Sequence, residues 1–241
     1  MYVYIFGNAS RLYRENFGLI TLIILLVWVP LEVLSGYMDA FVFDPDDIRR
    51  SFKFYLLLEN FIGIIATGAI LALADSVTFG KGLNFGGAFG EGLGAWGRLW
   101  WTRLLTGLLL VAGLLALIIP GLYLLVRLSA VEPVAVCERI SGGAAIQRSF
   151  ELTKGKFWSL FGLGWVVLGG MALTAVVANA PAIFIPEEVH WTVDVGVAIV
   201  LDVLFAYVTL LTYTTYQWLM NQQAAPPSLE FGQNVEPLNE S

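Results

Sequence analysis

Charge is what this chain has least of. Asp, Glu, Lys and Arg make up 13% of its 241 residues, about half the roughly 25% usual in a soluble domain. With 58% hydrophobic residues and a mean hydropathy of +0.76, the chain has too little polar surface to face water. Its solvent is lipid. Cysteine is nearly absent, and Cys137 alone excludes an intramolecular disulfide or a cysteine metal cluster and reports no redox compartment. Histidine is equally scarce. With His190 as the single histidine, and at an expected span end, a Ser-His-Asp triad inside the membrane or a multi-histidine metal site is excluded, so no catalytic or metal residue and no cofactor is assigned. Beside Trp191 at an expected span end, His190 reads as a solvated interface residue or as an axial ligand to a haem or pigment within a larger complex. The net charge of −6, with 13 Lys and Arg scattered through short connections, forms no basic face for nucleic acid.

What is abundant is apolar sequence of spanning length. A bilayer core takes roughly 20 mostly apolar helical residues. Spans are expected near Phe17–Tyr37, Phe54–Ala74, Thr102–Ile119, Leu122–Cys137, Ser159–Ala180 and Trp191–Gln217. Arg11 and Arg14 precede the first of these, which contains Pro30 and ends without a small-residue cleavage site. It is expected to remain as an anchor. Leu104–Cys137 is the ambiguous stretch, because Pro120-Gly121 divides it either as a kink in one long helix or as the turn of a hairpin.

The bias of basic residues separates these readings. Arg11 and Arg14, then Lys81 and Arg98, then Arg139, Arg148, Lys154 and Lys156 occupy three connections expected in the cytoplasm. Pro181–His190 has no Lys or Arg, and the first loop sets Asp39, Asp44, Asp46 and Asp47 against Arg49, Arg50 and Lys53. A double crossing at Pro120-Gly121 satisfies all five segments. The fold class expected is therefore an all-α integral membrane bundle of six spans, or five if Leu104–Cys137 is one helix, in the cytoplasmic (inner) membrane with both termini cytoplasmic. Trp28, Trp100, Trp101, Trp158, Trp191, Tyr213, Tyr216 and Trp218 mostly fall near expected span ends, where amphipathic rings suit the headgroup layer.

Two connections have helical patterns of their own. Between Gly80 and Gly97 lie eight glycines, with Gly82, Gly86, Gly90 and Gly94 on one stripe and Phe85, Phe89, Leu93, Trp96 and Trp100 on another. This spacing predicts a short amphipathic helix with a close-packing glycine face and aromatic rings dipped into the interface. Gly92-x-Gly94-x-x-Gly97 matches a dinucleotide fingerprint in letters but has no βαβ context. The second helix is predicted over Ser141–Phe157, N-capped by Ser141 and stopped by Gly155. There Arg148, Lys154 and Lys156, with Trp158, are candidate contacts for an anionic lipid headgroup, or simply mark the cytoplasmic side.

The run Ile119-Pro120-Gly121-Leu122-Tyr123, with Arg127-Leu128-Ser129, Pro133, Glu138, Ala145, Arg148-Ser149 and Leu152-Thr153-Lys154-Gly155-Lys156, resembles the membrane domain found with some glycerophosphodiester phosphodiesterases and related bacterial multi-span proteins of uncharacterised function. Leu12-Tyr13-Arg14-x-Asn16-Phe17 also looks like that family's lead-in to its first span. The resemblance implies a helical domain of about six spans. It implies no hydrolysis, since that chemistry belongs to a separate TIM barrel of roughly 250 residues, and Phe150 stands where many relatives have tryptophan.

Charges at bilayer depth are expensive and are usually paired or line a cavity. Glu59, Arg127, Glu132 and Asp202 form a candidate intramembrane ion cluster. At about 1.5 Å per residue, Glu59, Arg127 and Asp202 would all fall in the outer half of the membrane, where Arg127 is expected to pair with Asp202 or Glu59. Such a cluster serves either to fix helix register or to line a substrate or proton path. Residues 1–222 are read as the membrane domain and 223–241 as a polar tail containing Pro226, Pro227 and Pro237, which could be ordered by another subunit. The function expected is a non-enzymatic multi-pass protein of membrane organisation, lipid association or partner assembly. Two alternatives are an accessory structural subunit of a larger membrane complex, such as a bioenergetic one, and a small transporter. The partners expected are membrane lipids and, for the tail, other membrane subunits.

Overall fold

The computed structural model describes residues 1–43, 48–180 and 190–224. Expectations for Asp44, Asp46 and Asp47, for the loop 181–189, for the side chains of His190 and Trp191 and for the tail 225–241 lie outside the described residues. The protein is an all-helical, multi-span membrane protein, with no strand among the described residues. Six segments are long and apolar enough to cross a membrane: Phe17–Phe41, Arg49–Thr78, Phe85–Ala116, Ile118–Cys137, Phe157–Asn179 and Val193–Ala224.

The chain opens with a helix absent from the expected spans, α1 (Tyr2–Glu15). Ile5, Ala9 and Leu12, spaced four and three apart, bury one stripe of it. The Tyr13 hydroxyl donates to the Val203 carbonyl at 2.8 Å and Ser10 shares a 3.0 Å hydrogen bond with Tyr207, so α1 lies along the last helix, α10 (His190–Ala224). Burial raises the Tyr13 phenol above its ordinary pKa, which keeps it a donor. After Asn16, α2 (Phe17–Phe41) buries Ile20, Ile23, Ile24, Val27 and Leu31 and carries Pro30 within it. Next come α3 (Ile48–Leu58), a π-helical segment over Glu59–Gly63 and α4 (Ile64–Thr78).

The glycine-rich stretch is not a separate interfacial helix. It is the N-terminal part of α5 (Phe85–Ala116), 32 residues long, which Asn84 caps by accepting a 2.8 Å hydrogen bond from the Gly87 N–H. The expected stripe does not make the close contact, since a Cβ at Gly90 or Gly94 would meet nothing within 4 Å. Gly92 makes it instead: a Cβ there would stand 2.7 Å from the Ile65 carbonyl oxygen, which lets α5 press against the backbone of α4. Trp96 and Trp100, both half-buried, stack on each other and turn toward Phe61 of the π segment.

Pro120-Gly121 belongs to a hairpin and not to a kinked rod. α5 ends at Ala116, Leu117 is extended (φ −172°, ψ 155°), and α6 (Ile118–Arg127) begins at once. Pro120 sits in the first turn of α6, where its missing N–H breaks no helical hydrogen bond. Gly113 and Gly121 face each other across the hairpin, and a Cβ on either would collide with Leu124 or Leu114. α7 (Val131–Cys137), α8 (Gly143–Leu152) and α9 (Phe157–Asn179) complete the chain before α10. α8 is capped at Gly142 rather than Ser141. Gly142 has φ 59°, and an added Cβ would stand 2.8 Å from the Trp101 indole nitrogen, so glycine is required there. Gly155, at φ 74°, closes the turn after α8 as expected.

Candidate functional site: an acid-lined cavity inside the bundle

Several polar groups of the spans line one cavity of about 260 Å³ bounded by α2, α3, the π segment, α4, α5, α9 and α10. Tyr55, Glu59, Thr67, Arg103, Asp202 and Thr209 supply its polar lining. Each acid has a structural reason for its place. The π segment starts at Glu59, and its wider turn changes the helical phase before α4; such bulges recur at functional sites. Asp202 lies in α10 one turn before Ala206, the first residue of that helix's buried stretch. Its Oδ2 is fully buried and accepts no hydrogen bond. Glu32 of α2, 7% exposed, lies close enough to act electrostatically on Tyr55 and Asp202.

Arg103 is the cation of this site. Its Nε donates to Glu132 Oε1 at 2.6 Å, forming an ion pair, and its Nη2 donates to Thr67 Oγ1 at 3.3 Å. Because Glu132 already pairs with Arg103, Glu59 and Asp202 leave the cavity with more acidic than basic side chains. Along α5, Arg103 lies just inside the start of an apolar run and is not among the charges expected in the cluster. The visible signal was its separation of 29 residues from Glu132 across a hairpin.

Three of the four expected cluster members are therefore near this site, and Arg127 is not. Its guanidinium lies over the rings of Tyr123 and Phe150, at 5.8 and 4.9 Å, and its Nε has no hydrogen-bond partner. No ion pair of Arg127 with an acid is found among the described residues. The expected pairing with Asp202 or Glu59 is corrected. The cause is the placement of α8, whose Ser149 hydroxyl donates to the Arg127 carbonyl at 2.8 Å and ties it beside the basic connection, with Thr153 Oγ1 just past the helix 3.4 Å from the same oxygen.

The headgroup candidates divide in the same way. Arg148 is committed internally, to Glu138 at 3.1 Å, to Glu151 at 3.6 Å and to Gln223 at 3.2 Å. Lys156 places its ammonium 5.5 Å from the Trp218 ring centre. Lys154 is exposed, and Trp158 is 78% exposed, as an interfacial ring should be. Tyr213 and Tyr216, by contrast, are core residues, with hydroxyls bonded to Asp75 at 3.4 Å and Glu138 at 3.2 Å. No group of three metal-ligating side chains occurs among the described residues.

A groove of about 310 Å³ adjoins the cavity between α1, α9 and α10. Phe6, Gly170, Thr174, Leu204 and Tyr207 line it, and its walls are largely apolar. Met171, Phe205 and Val208 line both spaces. No family model, curated protein or solved structure matches the chain.

Proposed function

We propose that this is a non-enzymatic lipid-handling membrane protein that holds one amine-bearing amphiphile within its bundle. The positively charged head sits beside Glu59 and Asp202, and an acyl chain runs through the groove between α1, α9 and α10. The observation that carries this reading is the shared wall, since a polar, acid-rich cavity and an apolar groove meet at Met171, Phe205 and Val208. Together they match the mixed character of ligand pockets, mostly apolar with a few placed polar groups. Charge complementarity sets the head chemistry, because Arg103 is already satisfied and the remaining charge is negative.

Native mass spectrometry in mild detergent tests the proposal. The wild type is expected to retain a stoichiometric amine-bearing lipid. Gly170→Phe should lose it: an added Cβ there meets nothing within 4 Å, so the ring fills the groove without a built-in clash. Asp202→Asn should keep the chain fit while losing the preference for an amine. Equal lipid retention by all three proteins would refute the reading. A small transporter is a second reading, favoured by the buried, unpartnered Asp202 Oδ2; it predicts net cation uptake into proteoliposomes that Asp202→Asn abolishes.

A further inference from the structure

We infer that the α5–α6 hairpin enters and leaves the membrane on one side, embedding its tip in the acyl chains of a single leaflet. The first observation is length. α6 has 10 residues, so Leu117 lies within about 15 Å of Arg127 at roughly 1.5 Å per residue. Arg127 is held at the charged connection by Ser149 and by Thr153, the neighbour of exposed Lys154. Tyr123, nearer the tip, stacks on Phe157, the residue after Lys156. A hydrocarbon core is about 30 Å thick, so a tip this close to a layer of lysines reaches roughly its middle.

The segment after α6 does not supply the missing length. α7 starts four residues after Arg127 and stops just before Glu138, yet adjacent residues of α8 hold both flanks: Ser149 bonds Arg127 and Arg148 bonds Glu138. α7 therefore runs beside α8 instead of extending the hairpin leg across the bilayer. On the other leg, the Thr102 hydroxyl oxygen accepts a 2.8 Å hydrogen bond from the Gly142 N–H, so the same connection anchors α5.

The second observation is chemical. A turn that surfaced in the opposite headgroup layer would need polar groups, and this one has none. Leu115, Leu117, Ile118 and Ile119 are 83%, 69%, 70% and 81% exposed. Acyl chains are the one environment in which such a tip is stable, and the backbone around Leu117 keeps its hydrogen bonds, with the Leu117 N–H donating to Gly113 and its carbonyl accepting from Gly121. Charge bias accommodates the arrangement, because a hairpin that turns back inside the membrane returns Arg139–Lys156 to the same side as a double crossing would. Six segments have spanning length and composition; on this inference α2, α3 with α4, α9 and α10 cross, and the hairpin wedges into one leaflet.

Single cysteines on a Cys137→Ser background, probed in sealed vesicles of both orientations with a membrane-impermeant maleimide, decide the matter. Lys154→Cys and Asp39→Cys mark the two sides. Leu117→Cys and Leu115→Cys should stay unlabelled from both sides and label only after SDS denaturation, and a spin label on either should be more accessible to oxygen than to a nickel chelate. Labelling of either tip position from the Asp39 side would overturn the inference in favour of a crossing. Labelling from the Lys154 side would overturn it in favour of an interfacial hairpin.

Discussion

Replacing Arg103 with methionine removes the cation of the cavity while keeping most of its stem, and the consequence can be worked from the ion pair. Arg103 Nε and Glu132 Oε1 are 2.6 Å apart, with 22% and 29% of the two side chains exposed. Breaking a buried pair from one side costs about 3–5 kcal/mol, because the other charge is left without compensation. Each side chain here stays partly exposed, which places Arg103→Met toward about 2–3 kcal/mol. Thr67 Oγ1 also loses a donor. Glu132→Leu alone should also destabilise, because Arg103 loses its direct 2.6 Å ion-pair partner. The double variant Arg103→Met/Glu132→Leu removes both charges, so it should recover most of the loss, giving a coupling energy of about 2 kcal/mol. Equilibrium unfolding of the four proteins in bicelles with added SDS measures that cycle. A double variant whose loss equals the sum of the singles would refute the pair as an energetic unit.

Two further outcomes follow from close contacts. Gly92→Val would drive a branched side chain into the Ile65 carbonyl and the Ala69 amide of α4, and should lower stability by about 1–3 kcal/mol in the same unfolding assay. Gly142→Ala must hold an L-residue at φ 59° against the Trp101 indole; strain of this kind is worth about 1–3 kcal/mol. It should change tryptophan emission as α8 shifts on α5, and an unchanged spectrum with unchanged stability would contradict the docking described.

Composition and run length were enough to read the helical class and the six segments, because lipid leaves a chain few other solutions. Local periodicity carried less. α1 was legible in the spacing of Ile5, Ala9 and Leu12, but its low hydropathy hid it from a search for spans. The glycine stripe misled for a physical reason: a period of four marks a face, yet which face meets a neighbour is decided by the neighbour, and α4 meets Gly92. The candidate site shows the same limit. Glu59, Glu132 and Asp202 stand out as charges in apolar runs, whereas Arg103 lies where its run begins and the place of Glu32 in the first span is set only by the packing of α2. Arg127 looked like their partner because straight helices were assumed. Ser149 and Thr153 fix it elsewhere through backbone bonds that side-chain spacing does not encode.

The central claim is that the cavity and the groove form one amphiphile site joined at Met171. A photoreactive residue at position 171, illuminated in native membranes and compared with one at the 66%-exposed, lipid-facing Leu173, tests it most directly. The account predicts adducts at 171 dominated by an amine-bearing lipid, enriched over 173 and abolished by Gly170→Phe. Adducts at 171 that mirror the bulk lipid mixture found at 173 would contradict it.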